Sequence, residues 1–139
     1  FAASAGQCRQ RDKPSPERLA LALTNLANMS WKQFLPIMDQ AFAQQGFSVT
    51  KLNSSAADLQ LEKSGRVTLV SCKRWKAATL GVEVLRDLKA LQVSQDAAYA
   101  ACVSLSLPTG VALKFANANA VQLICQDELA SLCLKVMKD

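Results

Sequence analysis

The stretch ADLQLEKSGRVTLVSCKRWK, residues 57–76, contains two apolar segments separated by a short polar break. In the first segment Leu59 and Leu61 alternate with polar residues, which is the period of a half-buried strand. Ser64 and Gly65 supply the break, and small residues with access to positive φ favour a tight turn between two strands. RVTLVSCK continues the apolar pattern beyond it. The stretch therefore predicts an antiparallel hairpin.

The second strand of this hairpin ends in a cluster of cations around a tryptophan. No acidic residue occurs between residues 62 and 83, while the same interval contains five cations: Lys63, Arg66, Lys73, Arg74 and Lys76. The whole chain has a net charge of +5. A charge at the end of a half-buried strand is costly unless it reaches water or has a function. A phosphate-binding rim is one interpretation, and a solvated positive edge is the other.

Helical periodicity precedes the hairpin. SPERLALALTNLAN begins with Ser15 as the N-cap and Pro16 at the first position, and SWKQFLPIMDQAFAQQG begins at a second cap, Ser30. Gly46 is expected to end the second helix, and Pro36 to kink it or to confine its regular part to the residues beyond. FSVTKL then predicts a short strand before the hairpin.

Helices and strands alternate after the hairpin. GVEVLRDLKALQV is an amphipathic helix, AAYAACVSLSL a strand buried on both faces, TGVALKFANAN a short helix, AVQLICQ a strand and DELASLCLKVM a closing helix. The order α-α-β-β-β-α-β-α-β-α predicts an α/β domain with a mixed sheet flanked by helices. Residues 16–139 are expected to form a single domain, and residues 1–15 a linker or a trimmed leader.

Cysteine and histidine usage excludes several kinds of chemistry. The chain has five cysteines, no CxxC pair and no histidine, so the sequence predicts no zinc site and no Ser-His or Cys-His nucleophile pair. Buried, reduced thiols are the expectation for a cytosolic domain. No apolar run has the length that crosses a bilayer. An enzyme built from this chain must work with carboxylates, lysine and a hard metal ion bound by oxygen ligands.

Two polar side chains are predicted to meet at one edge of the hairpin. Because residues two apart on a strand face the same way, Ser71 and Lys73 share one face of the second strand. Asp58 and Gln60 share a face of the first. In adjacent strands, Asp58 and Lys73 would converge, and such a pair can hold Mg²⁺ and stabilise phosphate charge. An ordinary cross-strand ion pair is the alternative.

Longer stretches carry a resemblance to a known family. WKQFLPIMDQAFAQQGFSVT, ADLQLEKSGRVTLVSCKRWKAATLGVEVLRDLKALQ and VALKFANANAVQLICQDELASL, within residues 31–134, resemble the Mrr-type restriction endonuclease domain of the PD-(D/E)xK nuclease superfamily. The resemblance implies a restriction-endonuclease-like fold and Mg²⁺-dependent hydrolysis of double-stranded DNA. It implies no nucleotide cofactor. Its match gives Asp58 the role of metal-binding aspartate, Lys73 that of catalytic lysine, and the Cys72 carbonyl that of a further metal ligand.

The chain departs from the family pattern at two polar positions. Ser71 stands where the family generally has Gln or Glu, and Leu35 stands where it often has Glu. A hydroxyl is a weaker Mg²⁺ ligand than a carboxylate, so slow or absent cleavage is expected. Glu83 is a candidate replacement carboxylate at the start of the following helix. Its alternative role is that of a solvent-facing acid in the first helical turn.

The cations and the tryptophan are candidates for contacts with DNA. Arg66, Arg74 and Lys76 are expected to contact phosphates. Trp75 has two interpretations: its ring stacks on a base or sugar, or it covers the edge of the sheet.

Three functions therefore compete at this point. The first is a metal-dependent DNA endonuclease in the cytoplasm, with a homodimer as one possible assembly. The second is a DNA-binding module of the same fold that has lost turnover. The third is a protein-interaction domain of a longer protein, tethered to the inner face of a membrane through a region that precedes Phe1.

Overall fold

The computed structural model describes residues 15–72, 75–76 and 79–137 and contains ten regular elements. The helices are α1 (Pro16–Ala27), α2 (Trp31–Gln44), α3 (Val82–Ser94), α4 (Gly110–Asn119) and α5 (Asp127–Met137). The strands are β1 (Ser48–Lys51), β2 (Leu59–Lys63), β3 (Arg66–Ser71), β4 (Tyr99–Ser104) and β5 (Val121–Cys125). This order is the one that the sequence predicts, and the α/β class with a mixed sheet is confirmed.

The five strands form one sheet in the order β1-β2-β3-β4-β5. The first three strands pair antiparallel, and β3, β4 and β5 pair parallel through the crossover helices α3 and α4. The meander and the crossovers meet at β3, which has an antiparallel neighbour on one side and a parallel neighbour on the other. The end of β3 thus lies in the middle of the sheet, between chain segments that are far apart in sequence.

Two helical layers cover the sheet. On one side, here called the α2/α5 face, helices α1, α2 and α5 pack on Leu59, Leu61, Val70, Ala101 and Val103. On the other, the α3/α4 face, helices α3 and α4 pack on Leu69, Ala100, Cys102 and Val121. Both cores are aliphatic for the most part, and burial of each aliphatic side chain contributes roughly 1.5–3 kcal/mol to folding.

The predicted helix caps are present. The Ser15 hydroxyl accepts a hydrogen bond from the Arg18 amide at 3.2 Å. Ser30 and Gln33 form a reciprocal capping box that satisfies two amides at the start of α2. The expectation that α2 is regular only beyond Pro36 is wrong, because the helix is continuous from Trp31. Proline leaves a carbonyl in the first turn of α2 unpaired, and water can satisfy a carbonyl there.

The predicted hairpin turn joins β2 to β3. Ser64 and Gly65 both have positive φ, at 55° and 78°, as a two-residue turn that follows the twist of its strands requires. A methyl group added at Gly65 would meet no atom within 4 Å. Any cost of a side chain at this position therefore comes from the backbone alone.

Replacing Gly65 with alanine is expected to lower the free energy of unfolding by about 1 kcal/mol, because alanine rarely adopts positive φ. Gly110→Ala is the matched control. Gly110 begins α4 in open space and its φ is not positive, so the same methyl group is expected to stabilise the protein by up to about 1 kcal/mol. Urea unfolding of both variants measures the difference, and equal effects would contradict the account of the turn.

The cysteines in the described part of the chain are free thiols. Cys72, Cys102 and Cys133 are buried and Cys125 is partly buried. Cys8 lies outside the described residues. Among the helices that the structure describes, none combines the length and the apolar character needed to cross a membrane.

Candidate active site at the end of strand β3

Asp58 is held at the junction of three strands by its own backbone. Its amide donates to the Val70 carbonyl at 2.8 Å, and its carbonyl accepts from the Leu52 amide at 2.9 Å. The residue lies directly before β2 and continues the β1–β2 register, in which Lys51 pairs with Leu59. These bonds fix the Cα of Asp58 beside the end of β3. The side chain therefore has a defined origin, as a positioned catalytic group needs.

The Asp58 carboxylate is buried, with 7% of the residue exposed. Its Oδ2 accepts a hydrogen bond from the Cys72 amide at 2.8 Å. Charge-assisted bonds of this kind are among the stronger ones in proteins, and they fix the orientation of the carboxylate. A buried charge at the end of a central strand is expensive unless it is paired or has a function. The alternation in ADLQLEK placed this side chain on the polar side of the strand, but it did not predict the burial.

Ser71 lies on the α3/α4 face, in line with Cys102 of the neighbouring parallel strand. The serine is 6% exposed, and its hydroxyl lies close enough to the Cys102 thiol to affect the pKa of that thiol. Burial raises the pKa of Cys102 to about 12, and Cys125 and Asp58 add to the rise, while Ser71 opposes it. Cys102 is therefore a neutral thiol at physiological pH. Because Asp58 and Ser71 both affect the pKa of the Cys102 thiol, these three side chains lie close together at this end of the sheet.

The sequence analysis did not place Cys102 at this site. It treated all the cysteines as inert core residues, and the pairing of β3 with β4 was needed to bring residue 102 beside residue 71. The two positions are separated by a helix, so no local pattern shows their register. The only signal in the sequence was a thiol in the middle of a buried strand.

The basic segment after β3 is described only in part. Lys73 and Arg74, the predicted catalytic lysine and one predicted phosphate contact, lie outside the described residues. The chain on either side of them is fixed, because the Trp75 amide donates to the Cys72 carbonyl at 3.2 Å and the Trp75 carbonyl accepts from Leu105 at 2.8 Å. The described neighbours of Lys73 thus lie beside the ends of β3 and β4. The predicted convergence of Asp58 and Lys73 stays a prediction.

Trp75 packs inside the protein. Only 2% of it is exposed, and its ring is stacked on Phe34 of α2 with centroids 3.9 Å apart and planes at 2°. The Lys76 ammonium lies 5.1 Å from the centroid of the same ring, and Lys76 itself is exposed. Of the two interpretations left open by the sequence, the structure favours covering of the core. A ring this buried is not available for stacking on a base, so the assignment of Trp75 to DNA contact is corrected.

Two other predicted site residues, Arg66 and Glu83, are not part of the cluster formed by Asp58, Ser71 and Cys102. Arg66 begins β3, five residues from Ser71, and Nη1 of its guanidinium donates to the Tyr99 hydroxyl at 3.1 Å. It therefore occupies the opposite end of the strand from Asp58. Glu83 is exposed in the first turn of α3, whose N-cap, Gly81, makes no side-chain capping bond. The structure places Glu83 in the position of a solvent-facing acid that complements the helix dipole.

The donor set available for a metal at this site is small. Within the described ranges, no group of three Asp, Glu, His or Cys side chains is arranged to hold an ion. Asp58 contributes one carboxylate, and the Cys72 carbonyl and the Ser71 hydroxyl are neutral oxygens at the same strand end. Oxygen donors suit Mg²⁺, which keeps several waters and needs only one or two carboxylates from the protein. The residues present therefore fit a hard divalent ion with most of its water retained.

Comparisons with known proteins agree with this fold. The family model of a restriction endonuclease domain (Mrr_cat) matches residues 26–133 of the chain. The MspJI restriction endonuclease, solved in complex with a 27-mer oligonucleotide, superposes with a TM-score of 0.61 at 14% identity, over 88% of this chain and 33% of that one. A protein of unknown function, AF1548, superposes with a TM-score of 0.53 at 13% identity, over 63% of this chain and 53% of that one. No curated protein matches the chain.

The family match and the structural similarities support different conclusions. The family match covers most of the chain, including Asp58 and the segment up to Cys133. The two solved structures share the fold only, since their identity to this chain is low. This chain spans about one third of the MspJI chain and about half of AF1548.

Proposed function

The chain belongs to the Mrr-type restriction endonuclease family, and from this premise we propose that it binds double-stranded DNA and hydrolyses phosphodiester bonds with a divalent metal ion. The observation that carries the proposal is the buried carboxylate of Asp58, fixed by the Cys72 amide at 2.8 Å beside the end of β3. An oriented carboxylate in a nuclease-like fold supports a role in holding an ion.

Asp58 and the residues around it are assigned different roles in such a site. Asp58 and the Cys72 carbonyl would hold Mg²⁺, since both present oxygen to the same strand end. Mg²⁺ bound there supplies Lewis-acid polarisation of a phosphoryl oxygen and lowers the pKa of the attacking water. We assign Lys73 to the phosphate and the attacking water, where an ammonium offsets the negative charge that develops during attack. The Cys72 amide keeps the carboxylate oriented throughout.

Ser71 is expected to make this nuclease slow. Its hydroxyl carries no charge, so it adds little to the hold on a metal ion. Loss of one group aimed at a developing charge typically lowers the rate by roughly a hundred- to a thousandfold. Glu83, which is exposed in the first turn of α3, stays the candidate replacement carboxylate.

The same observation favours a second candidate function. A domain that keeps the fold and the basic segment but has an uncharged serine at position 71 has the properties of a DNA-binding module without turnover. Both candidates require contacts between DNA and the cations after β3. They differ in the need for a metal, which DNA binding alone does not have. Homodimer formation and cytoplasmic localisation stay predictions from the sequence.

Replacing Lys73, Arg74 and Lys76 together with alanine tests the DNA-binding part that both candidates share. Each phosphate contact that is lost is expected to reduce the salt dependence of duplex binding by about one unit of slope, so the variant should lose up to about three units. Fluorescence anisotropy with a labelled duplex at several salt concentrations measures the slope.

The matched control removes three exposed lysines from separate elements: Lys32, Lys51 and Lys114. This control has the same net charge as the triple variant, but its salt slope is expected to stay close to that of the wild type. Equal slopes for the wild type and the Lys73, Arg74 and Lys76 variant would remove the basis for the proposed DNA interface.

A further inference from the structure

A groove with a volume of about 970 Å³ opens on the α2/α5 face, away from Asp58. Its floor consists of sheet residues: Leu61, Thr68, Ala101 and Ile124. It extends to the start of β3 and β4, where Arg66 and Tyr99 line it, whereas the candidate active site lies at the other end of β3 and on the opposite face. The proposed nuclease does not use this groove. Its volume is within the range of pockets that bind small organic molecules.

Two cations stand directly opposite each other at the rim of the groove. Lys63 pairs with Arg66 in the β2–β3 register, and both side chains are exposed. Like charges opposed across an antiparallel pair are destabilising. Neither forms an ion pair with a carboxylate of the described residues: Lys63 donates to the Gln45 carbonyl at 2.8 Å and Arg66 to the Tyr99 hydroxyl at 3.1 Å. The Lys63 ammonium also lies 5.2 Å from the centroid of the Phe47 ring, so both positive charges have polar or aromatic neighbours but no carboxylate partner at the edge of the apolar floor.

Helix α5 forms one wall of the groove and places charges of opposite sign near its two ends. Asp127 and Glu128 line it at the start of this helix, and Lys135 lines it two turns later. Eight residues of helix separate Asp127 from Lys135 by about 12 Å. Because β5 runs towards the start of α5, the acids lie near the carboxyl ends of the parallel strands, and Lys135 lies towards the opposite end, where Arg66 begins β3. One end of the groove is therefore positive and the other negative.

We propose that this groove binds an organic anion with an apolar body, such as an acyl carboxylate or an alkyl phosphate. The anionic head lies between Lys63 and Arg66, where it offsets the repulsion between the two cations. The apolar body covers Leu61, Ala101 and Ile124 on the floor. The acids at the far end disfavour the reverse orientation, in which the head would meet Asp127. An inorganic anion would satisfy the two cations but would leave the apolar floor in contact with water.

Decanoate and decyl phosphate are the probes that test this proposal, with decanol as the uncharged analogue, decyltrimethylammonium as the cationic one and inorganic phosphate as a head without a body. Titrations are followed by two-dimensional amide NMR, which reports both affinity and location. We expect saturable binding of decanoate or decyl phosphate, with shifts at Thr68, Ala101 and Ile124. Decanol is expected to bind about tenfold more weakly, since it forms neither of the two exposed ion pairs and each contributes up to about fivefold. The stronger of the two anions identifies the head group.

The variant Lys63→Gln with Arg66→Gln keeps side-chain length and removes both charges. Its affinity for the preferred anion is expected to fall by about tenfold or more, while decanol binding stays unchanged. Its thermal stability is expected to equal or exceed that of the wild type, because the like-charge pair is gone. Lys114→Gln is the charge control on the opposite face of the sheet, and its affinity should not change. Thr68→Phe fills part of the floor and should weaken binding with both cations in place.

Three results would overturn the proposal. The first is equal affinity for decanol and the anions, the second is an affinity that is insensitive to loss of Lys63 and Arg66 charges, and the third is the absence of shifts at the floor with every probe. A concentration-dependent dimer whose interface shifts map to the same floor residues would show that a second copy of the chain occupies the groove instead. Cleavage and duplex binding are measured separately, so failure here leaves the proposed nuclease function untouched.

Discussion

Asp58→Asn is expected to abolish metal-dependent cleavage of duplex DNA, with a loss of at least about a hundred- to a thousandfold in rate. The asparagine side chain has nearly the same shape, and its carbonyl oxygen can still accept the hydrogen bond that the Cys72 amide donates at 2.8 Å to Oδ2 of the aspartate. The substitution therefore removes the charge while the link between β2 and β3 is kept. Nicking of supercoiled plasmid by the purified protein, with Mn²⁺ or Mg²⁺ and with EDTA, measures the effect.

Asp87→Asn is the matched control, since Asp87 is an exposed acid on α3. It should cleave at the wild-type rate. The free energy of unfolding of both variants, measured with urea, should lie within about 1 kcal/mol of the wild-type value. Cleavage by Asp58→Asn at the wild-type rate would show that another group holds the metal.

Ser71→Glu is the reciprocal change, in which a carboxylate is restored at the position where the family generally has Gln or Glu. It is expected to raise the affinity for Mg²⁺ and to increase the cleavage rate. Ser71 is buried beside Cys102, so the larger side chain needs room on that side. Combining Ser71→Glu with Cys102→Ala provides that room. A rate that neither the single nor the double variant raises would favour the binding module over the nuclease.

Trp75→Ala is expected to lower the free energy of unfolding by about 3–5 kcal/mol, the cost of deleting a large aromatic side chain from a core. The indole is 2% exposed and is stacked on Phe34 at 3.9 Å, so its removal leaves a cavity between the end of β3 and α2. Urea unfolding followed by circular dichroism measures the loss. A change this large approaches the total stability of many small domains.

Trp31→Ala provides the comparison for this effect. Trp31 also lies near Phe34, with centroids 6.4 Å apart, but it is only half-buried. Trp31→Ala is expected to lower the free energy of unfolding clearly less than Trp75→Ala does. Trp75→Phe, which keeps an aromatic ring against Phe34, should recover most of the stability and should leave duplex binding intact. A Trp75→Phe variant that is fully stable but no longer binds DNA would show that the ring contacts nucleic acid after all.

Local sequence patterns were sufficient to predict most of the fold. The alternation of Leu59 and Leu61, the turn at Ser64 and Gly65 and the two serine caps are each decided by a few neighbouring residues, and all of them are present in the structure. Periodicity reports which face of an element is apolar. It therefore predicts the kind and order of elements, which is what the sequence supplied here.

Contacts between distant segments could not be predicted in the same way. The burial of Asp58 depends on β3 and on the Cys72 amide, and the closeness of Ser71 and Cys102 depends on the register of two strands joined by a helix. Trp75 shows the same limit. A tryptophan beside two cations has the same local pattern whether it packs on Phe34 or on a base, and only the position of α2 decides between them.

Isothermal titration calorimetry of the wild type and Asp58→Asn with Mg²⁺ and Mn²⁺ tests the central claim most directly, because it needs neither a DNA substrate nor fast turnover. The account predicts saturable binding of a divalent ion to the wild type and no detectable binding to Asp58→Asn, since the variant lacks the one carboxylate of the site. Binding that is unchanged in Asp58→Asn, or a wild-type protein that binds neither ion, would contradict the assignment of Asp58 as the metal-holding residue of a nuclease site.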